Sequence, residues 1–132
     1  MNTQVPAFIL ELAEKAAVAS GAKAVYLFGS YARGQAKPDS DVDLLLVMDD
    51  NANLRDSSIA AYQASRPRII GVDFIAMHQT AYQLRQSIIA FEVAREGILL
   101  LQNTDAISKF QDQQSVFMTT FSRRYQAEVV HG

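Results

Sequence analysis

The sequence predicts a small α/β domain, with a mixed, twisted sheet, helices packed mainly on one face, and a further helix at the C-terminus. Three observations lead there. Apolar, β-branched or aromatic runs at 23–28, 42–48 and 68–77 alternate with stretches whose apolar residues fall at helical spacing. The central run, Val42 to Met48, is so apolar that it reads as a strand buried on both faces. The chain has 132 residues, 49% of them hydrophobic, which is enough for one core and too apolar for a disordered segment.

Each element has its own reason. Val5, Phe8, Ile9, Leu12, Ala13, Ala16 and Ala17 repeat at helical spacing, Pro6 suits a first helical turn, and Gly21 stops the helix. Lys23 to Phe28 reads as a strand that ends abruptly at Gly29-Ser30. Gly34, Pro38 and Asp39 make residues 31–40 a short helical turn followed by a loop. Asp49 to Ser58 is polar and reads as loop, leading into a weak helix over 59–64. Arg68 to Met77 reads as a third strand, and Gln79 to Glu96 as helix with a break near Ser87, ending at Gly97. Ile98 to Leu101 is a short apolar strand or core plug. From Asn103 onward, Ile107, Phe110, Phe117, Phe121 and Tyr125 fall near one stripe of an amphipathic helix capped by Asn103 or Thr104. This divides the chain into a domain over 1–101 and a helix over 102–132, packed on the domain or at an interface.

Composition removes several classes of function. Twelve Lys+Arg against fourteen Asp+Glu leave a net charge of −2, without the basic excess that nucleic-acid binding wants. With no cysteine there is no disulfide framework, thiolate nucleophile or zinc knuckle. The apolar runs are too short for a membrane span, and Glu11 and Glu14 interrupt the N-terminal stretch, so no secretion signal is read. A soluble cytoplasmic protein is expected.

One stretch carries chemistry. Asp41 and Asp43 stand at positions i and i+2 where an apolar strand begins, on one face and about 7 Å apart along the backbone. Two such carboxylates repel each other and call for a positive charge between them. Lys or Arg could supply it, but Mg²⁺ also suits, since it takes oxygen ligands from one or two carboxylates together with substrate phosphates. Asp-x-Asp by itself is common in solvated loops and turn caps. This pair differs in running directly into a rigid apolar strand. Upstream, Gly29 follows a strand and lets backbone N–H groups approach an anion, with the Ser30 hydroxyl and a short helix adding donors. A plain strand-to-helix turn would look the same in isolation. Neither a Walker A loop nor a dinucleotide fingerprint is present, because no Gly-Lys-Ser/Thr occurs and the Gly29 to Gly34 spacing is wrong.

Together these residues read Gly-Ser, ten intervening residues including Ala32-Arg33-Gly34, then Asp-x-Asp. In this the chain resembles the DNA polymerase β-like nucleotidyltransferase superfamily, closely over 28–47 and by order of elements to about residue 101. More narrowly it resembles the minimal nucleotidyltransferases, the antitoxin partners of HEPN-domain toxins. The resemblance implies a third carboxylate on a neighbouring strand, for which Asp73 in Val72-Asp73-Phe74-Ile75 is the natural candidate. It implies that Asp41, Asp43 and Asp73 are catalytic and hold Mg²⁺, with ATP or another NTP lying against Gly29 and Ser30. Arg33 either steadies the triphosphate or salt-bridges within the loop. Asp49, Asp50 and Asp56 are expected to be solvated, and His78 to be a helix-start or surface residue.

The implied reaction transfers AMP from ATP to a hydroxyl of a partner, a HEPN toxin modified on tyrosine. With about 30 residues after the core, the acceptor brings its own recognition surface or a second copy of the chain completes the site. Two rival readings stand beside this one: a non-catalytic module that holds the toxin by surface contact, and a small-molecule nucleotidyltransferase of the aminoglycoside type acting as a homodimer.

Overall fold

A computed structural model describes residues 5–68 and 70–102; the expected C-terminal helix lies outside the described residues. Among the described residues, helix α1 (Ala7–Ser20) is followed by strands β1 (Ala24–Phe28) and β2 (Val42–Met48). Helix α2 (Leu54–Ala64), strand β3 (Val72–His78), helices α3 (Gln79–Gln83) and α4 (Ile88–Glu96) and strand β4 (Ile98–Gln102) complete the order. The sheet runs β3-β2-β1-β4. β2 and β3 are parallel, joined through α2, whereas β1 is antiparallel to both β2 and β4, so the sheet is mixed.

Side-chain alternation along β2 divides the core. Val42, Leu44, Leu46 and Met48 enter the larger cluster, with Ile9, Leu12, Ala13, Ala16 and Ala17 of α1, Ala61 of α2, and Val72 and Phe74 of β3. Leu45 and Val47 enter a smaller cluster on the other face, with Phe28 and with Val93 of α4. The longer helices thus share one face with most of the core, and a thinner layer of α3 and α4 covers the other. That double cover explains why β2 has no polar residue after Asp43. Fully burying each of these leucines contributes on the order of 2 kcal/mol. No helix among the described residues is long and apolar enough to cross a membrane.

Several boundaries differ from the sequence reading, each for a local reason. α1 ends where expected, with Gly21 in the left-handed region at φ 78°. α2 begins at Leu54, five residues before the expected start, because the Asn53 side chain caps it by accepting from the Asp56 N–H at 3.0 Å. β3 starts at Val72 rather than Arg68, whose guanidinium turns back to donate to Ser65 Oγ at 2.7 Å. The expected break near Ser87 is a cap: its hydroxyl accepts from the Ala90 N–H at 3.1 Å and starts α4.

Asp50 is exposed, as expected, and also anchors a neighbouring element. Its carboxylate accepts from the Thr80 backbone N–H at 2.9 Å and from the Thr80 hydroxyl. These bonds hold its pKa below the ordinary carboxylate value. His78 stands at the start of α3 and pairs through Nε2 with the Ala52 carbonyl at 2.9 Å. The loop after β2 is therefore pinned to the first turn of α3. Leu44→Ala, which opens a cavity in the larger cluster, is expected to cost about 3 kcal/mol. Asn53→Ala, which removes one cap, is expected to cost about 1 kcal/mol. Urea denaturation should reproduce that ordering.

Candidate active site

The parallel register of β2 and β3 sets Asp43 directly beside Asp73, with Val42 beside Val72 and Leu44 beside Phe74. Neighbouring strands lie about 4.8 Å apart. Both carboxylates belong to the face that carries Leu45, Val47, Ile75 and Met77, at the end where that apolar layer stops. On the other side of Asp43 the register places Phe28, the last residue of β1 before the Gly29-Ser30 turn. Asp41 precedes β2, and the Val42 N–H donates to the Gly71 carbonyl at 2.9 Å, tying the two strand starts together.

These residues line one cavity of about 750 Å³, whose wall includes Gly29, Ser30, Arg33, Asp41, Asp43 and Asp73. All six positions singled out from sequence thus face the same space. Gly29 is in the left-handed region at φ 78°, where a side chain is strained, and a Cβ there would fall on Asp43 Oδ2. A Cβ on Gly71 would likewise fall on Asp41 Oδ1. Each carboxylate therefore rests where only glycine leaves room. The residues after Gly29 form a tight turn rather than a helix, with Arg33 N–H donating to the Gly29 carbonyl at 3.2 Å and Gln35 N–H to Ser30 at 2.9 Å. The Ser30 hydroxyl has no partner among the described residues.

Charge is the dominant feature of the cavity. Burial raises the Asp43 pKa above its ordinary value, and Asp73, Asp41 and Glu92 add to the rise against a smaller opposing effect of Arg33. The donors are all oxygens, carboxylates with a hydroxyl and open backbone, as a hard divalent cation prefers. Among the described residues no three acidic or histidine side chains close into a ready-made metal cluster. The like charges that disfavour the ionised form of Asp43 make the site receptive to a cation.

Three further residues of the site lacked a strong signal in the sequence. Glu92 of α4 lines the cavity and stands 3.5 Å from Arg33 Nη1. Glu96, one helical turn on, stands 3.8 Å from the same atom, so the ion pairs of Arg33 run across to α4, while its Nε donates to Gln35 within its own loop. The i,i+4 pair of like charges was the available hint, because such a pair wants a cation nearby. Tyr62 of α2 also lines the cavity, and its hydroxyl accepts from the Phe74 N–H at 3.0 Å. Gly71, immediately before an acid-bearing strand, is the third.

Residues 11–106 match the polymerase beta nucleotidyltransferase family. The chain is similar to a Sulfolobus solfataricus protein described as a candidate nucleotidyltransferase, with 25% identity over 70% of this chain and 79% of that one, at a TM-score of 0.49. It is also similar to a chain of a toxin–antitoxin structure solved with AMP-PNP, at 21% identity over 92% of this chain and 89% of that one, with a TM-score of 0.45. No curated protein matches.

Two outcomes are expected. Gly71→Ala and Gly29→Ala, by displacing a carboxylate, should each lower Mn²⁺ affinity about tenfold in calorimetric titration. Gly29→Ala should in addition lose about 1–2 kcal/mol of stability to its backbone conformation. The second outcome concerns pH. Because the folded-state pKa of Asp43 is raised, its charge costs no stability below the ordinary carboxylate range; the cost builds as pH rises from the ordinary to the raised value and is constant above it. Asp43→Asn should therefore raise the Tm at neutral pH in the presence of chelator, and the gain should be gone below about pH 4.

Proposed function

The chain belongs to the polymerase beta nucleotidyltransferase family, and we propose that it transfers AMP from ATP to a hydroxyl of a partner protein. We take that partner to be a HEPN-type toxin modified on tyrosine, which makes this chain its antitoxin. The observation that carries the reading is the register of β2 on β3, which sets Asp43 beside Asp73 in the cavity that also holds Asp41 and the Gly29-Ser30 turn.

In this reading Asp41, Asp43 and Asp73 would hold Mg²⁺, which when bound supplies charge neutralisation for the triphosphate and the departing pyrophosphate. The Gly29-Ser30 turn binds phosphate through backbone N–H groups and the Ser30 hydroxyl. Asp73, the more exposed carboxylate of the facing pair, takes the proton from the attacking hydroxyl. A bond forms between that oxygen and the α-phosphorus, the bond from the α-phosphorus to the bridging oxygen breaks, and pyrophosphate leaves. Catalysis by this chain is mainly positioning and electrostatics.

The class of acceptor follows from what borders the cavity. Among the described residues its wall comes from β1, β2, β3 and the loop between β1 and β2, with Tyr62 of α2 and Ile89 and Glu92 of α4. α4, which gives Ile89 and Glu92 to that wall, also presents Ile88 and Phe91 to solvent at 84% and 58% exposure. Exposed apolar residues beside a reaction cavity suit a protein acceptor. The narrower resemblance of the sequence to the minimal nucleotidyltransferases supports a toxin as that protein.

With Mg²⁺ and α-labelled ATP, the full chain should label a co-expressed toxin partner. Asp41→Asn and Asp43→Asn should abolish labelling, and Asp73→Asn should reduce it at least about a hundredfold. Labelling that persists in both of the first two variants would remove the assigned site. Tight partner binding without transfer under any nucleotide would make the chain a binding antitoxin, and transfer to an aminoglycoside alone would make it a small-molecule enzyme.

A further inference from the structure

Arg33 is the sole basic side chain among the described residues lining the cavity, where it faces Asp41, Asp43, Asp73 and Glu92. Its guanidinium is already occupied. Nη1 stands between Glu92 Oε2 at 3.5 Å and Glu96 Oε1 at 3.8 Å, while Nε donates to Gln35 Oε1 at 3.3 Å. The two glutamates lie one turn apart on α4, an arrangement that repels within the helix until a cation relieves it. Glu96 has a second cation, since Arg95 Nη2 holds its other oxygen at 2.9 Å. For Glu92, Arg33 is the one ion-pair partner among the described residues. The Arg33 pairs are half-exposed, so they add little to folding and exchange readily.

This arrangement opposes an anionic ligand in two ways. The one cation in the cavity wall is neutralised by α4, and Glu92 adds negative charge to a space already lined by three aspartates. A polyphosphate resting on the Gly29-Ser30 turn would meet Arg33 on that same turn, and a guanidinium binds phosphate oxygens well through its fork of donors. We infer that Glu92 and Glu96 form a counter-charge clasp on Arg33, which weakens nucleotide binding and is released when polyphosphate takes the guanidinium. The clasp sets nucleotide affinity without touching the reacting atoms, so both glutamates are positioning residues. This rests on the nucleotide-binding reading above.

The test is calorimetric titration of a non-hydrolysable ATP analogue with Mg²⁺ into the full chain. The variants are Glu92→Gln/Glu96→Gln, Arg33→Gln and all three changes together. Glutamine keeps helix propensity, and thermal melts check that each variant is folded. The double glutamate variant should bind about three- to tenfold tighter than the native chain, the scale that one or two half-exposed ion pairs allow. Arg33→Gln should bind more weakly. In the Arg33→Gln background, removing the glutamates should have a clearly smaller effect, because the coupling runs through the guanidinium. Unchanged or weaker binding by the double glutamate variant would overturn the clasp, as would an equal gain with and without Arg33. Either result would leave nucleotide binding by the native chain intact. If neither the native chain nor the glutamate variant binds the analogue, the nucleotide reading itself fails and the clasp fails with it.

Discussion

Like charges held side by side by a backbone ladder are the constraint on which the rest of this site depends. The register that pairs Asp43 with Asp73 also pairs five consecutive residues beyond them, so neither carboxylate can move away without shearing two strands. A one-residue slip of β3 would turn Asp73 to the opposite face and bring Val72 and Phe74 out of the core. The hydrophobic effect along Leu44 to Met48 therefore works against electrostatic repulsion at one end of the strand. It wins because the apolar residues are many and buried, whereas Asp73 is exposed and part of its repulsion is screened by water. What persists is seen at Asp43, whose charged form is disfavoured by burial and by its neighbours.

Around that strand pair, glycine and arginine do complementary things. Gly29 and Gly71 let the Asp43 and Asp41 carboxylates pack against backbone, fixing them by shape. Arg33 brings positive charge to the rim, where α4 meets it with Glu92 and Glu96. The sheet thus presents the carboxylates, the turn after β1 presents donors and a cation, and α4 closes the third side.

Legibility in the sequence followed chain proximity. Gly29, Ser30, Arg33, Asp41 and Asp43 lie within fifteen residues, so their spacing was visible as a pattern. The strand Val42–Met48 was legible for a separate reason: burial on both faces leaves an unbroken apolar run. Asp73 was reached through the family resemblance, because an acidic residue between apolar ones also suits a plain edge strand. Glu92, Tyr62 and Gly71 owe their place to tertiary packing, which brings α4, α2 and the start of β3 against the turn and β2, and beyond the i,i+4 pair of Glu92 with Glu96 no local spacing hints at it. The early start of α2 was hidden by Asn53 and Asp56, whose polarity reads as loop although one of them is the cap. The exposed Asp50 is solvated as read, but its bond to Thr80 was not legible, since that partner is thirty residues away.

Tyr62 does something more than line a wall. β3 is the outermost strand on its side of the sheet, and its outward amides are where a foreign strand would add. The phenol takes up the Phe74 amide, and its ring packs edge-on against the Phe74 ring at 5.0 Å, so the margin next to Asp73 is stoppered. One side chain thereby guards the domain against edge-to-edge aggregation at the place where the acid-bearing strand lies open, and keeps that margin free for chemistry.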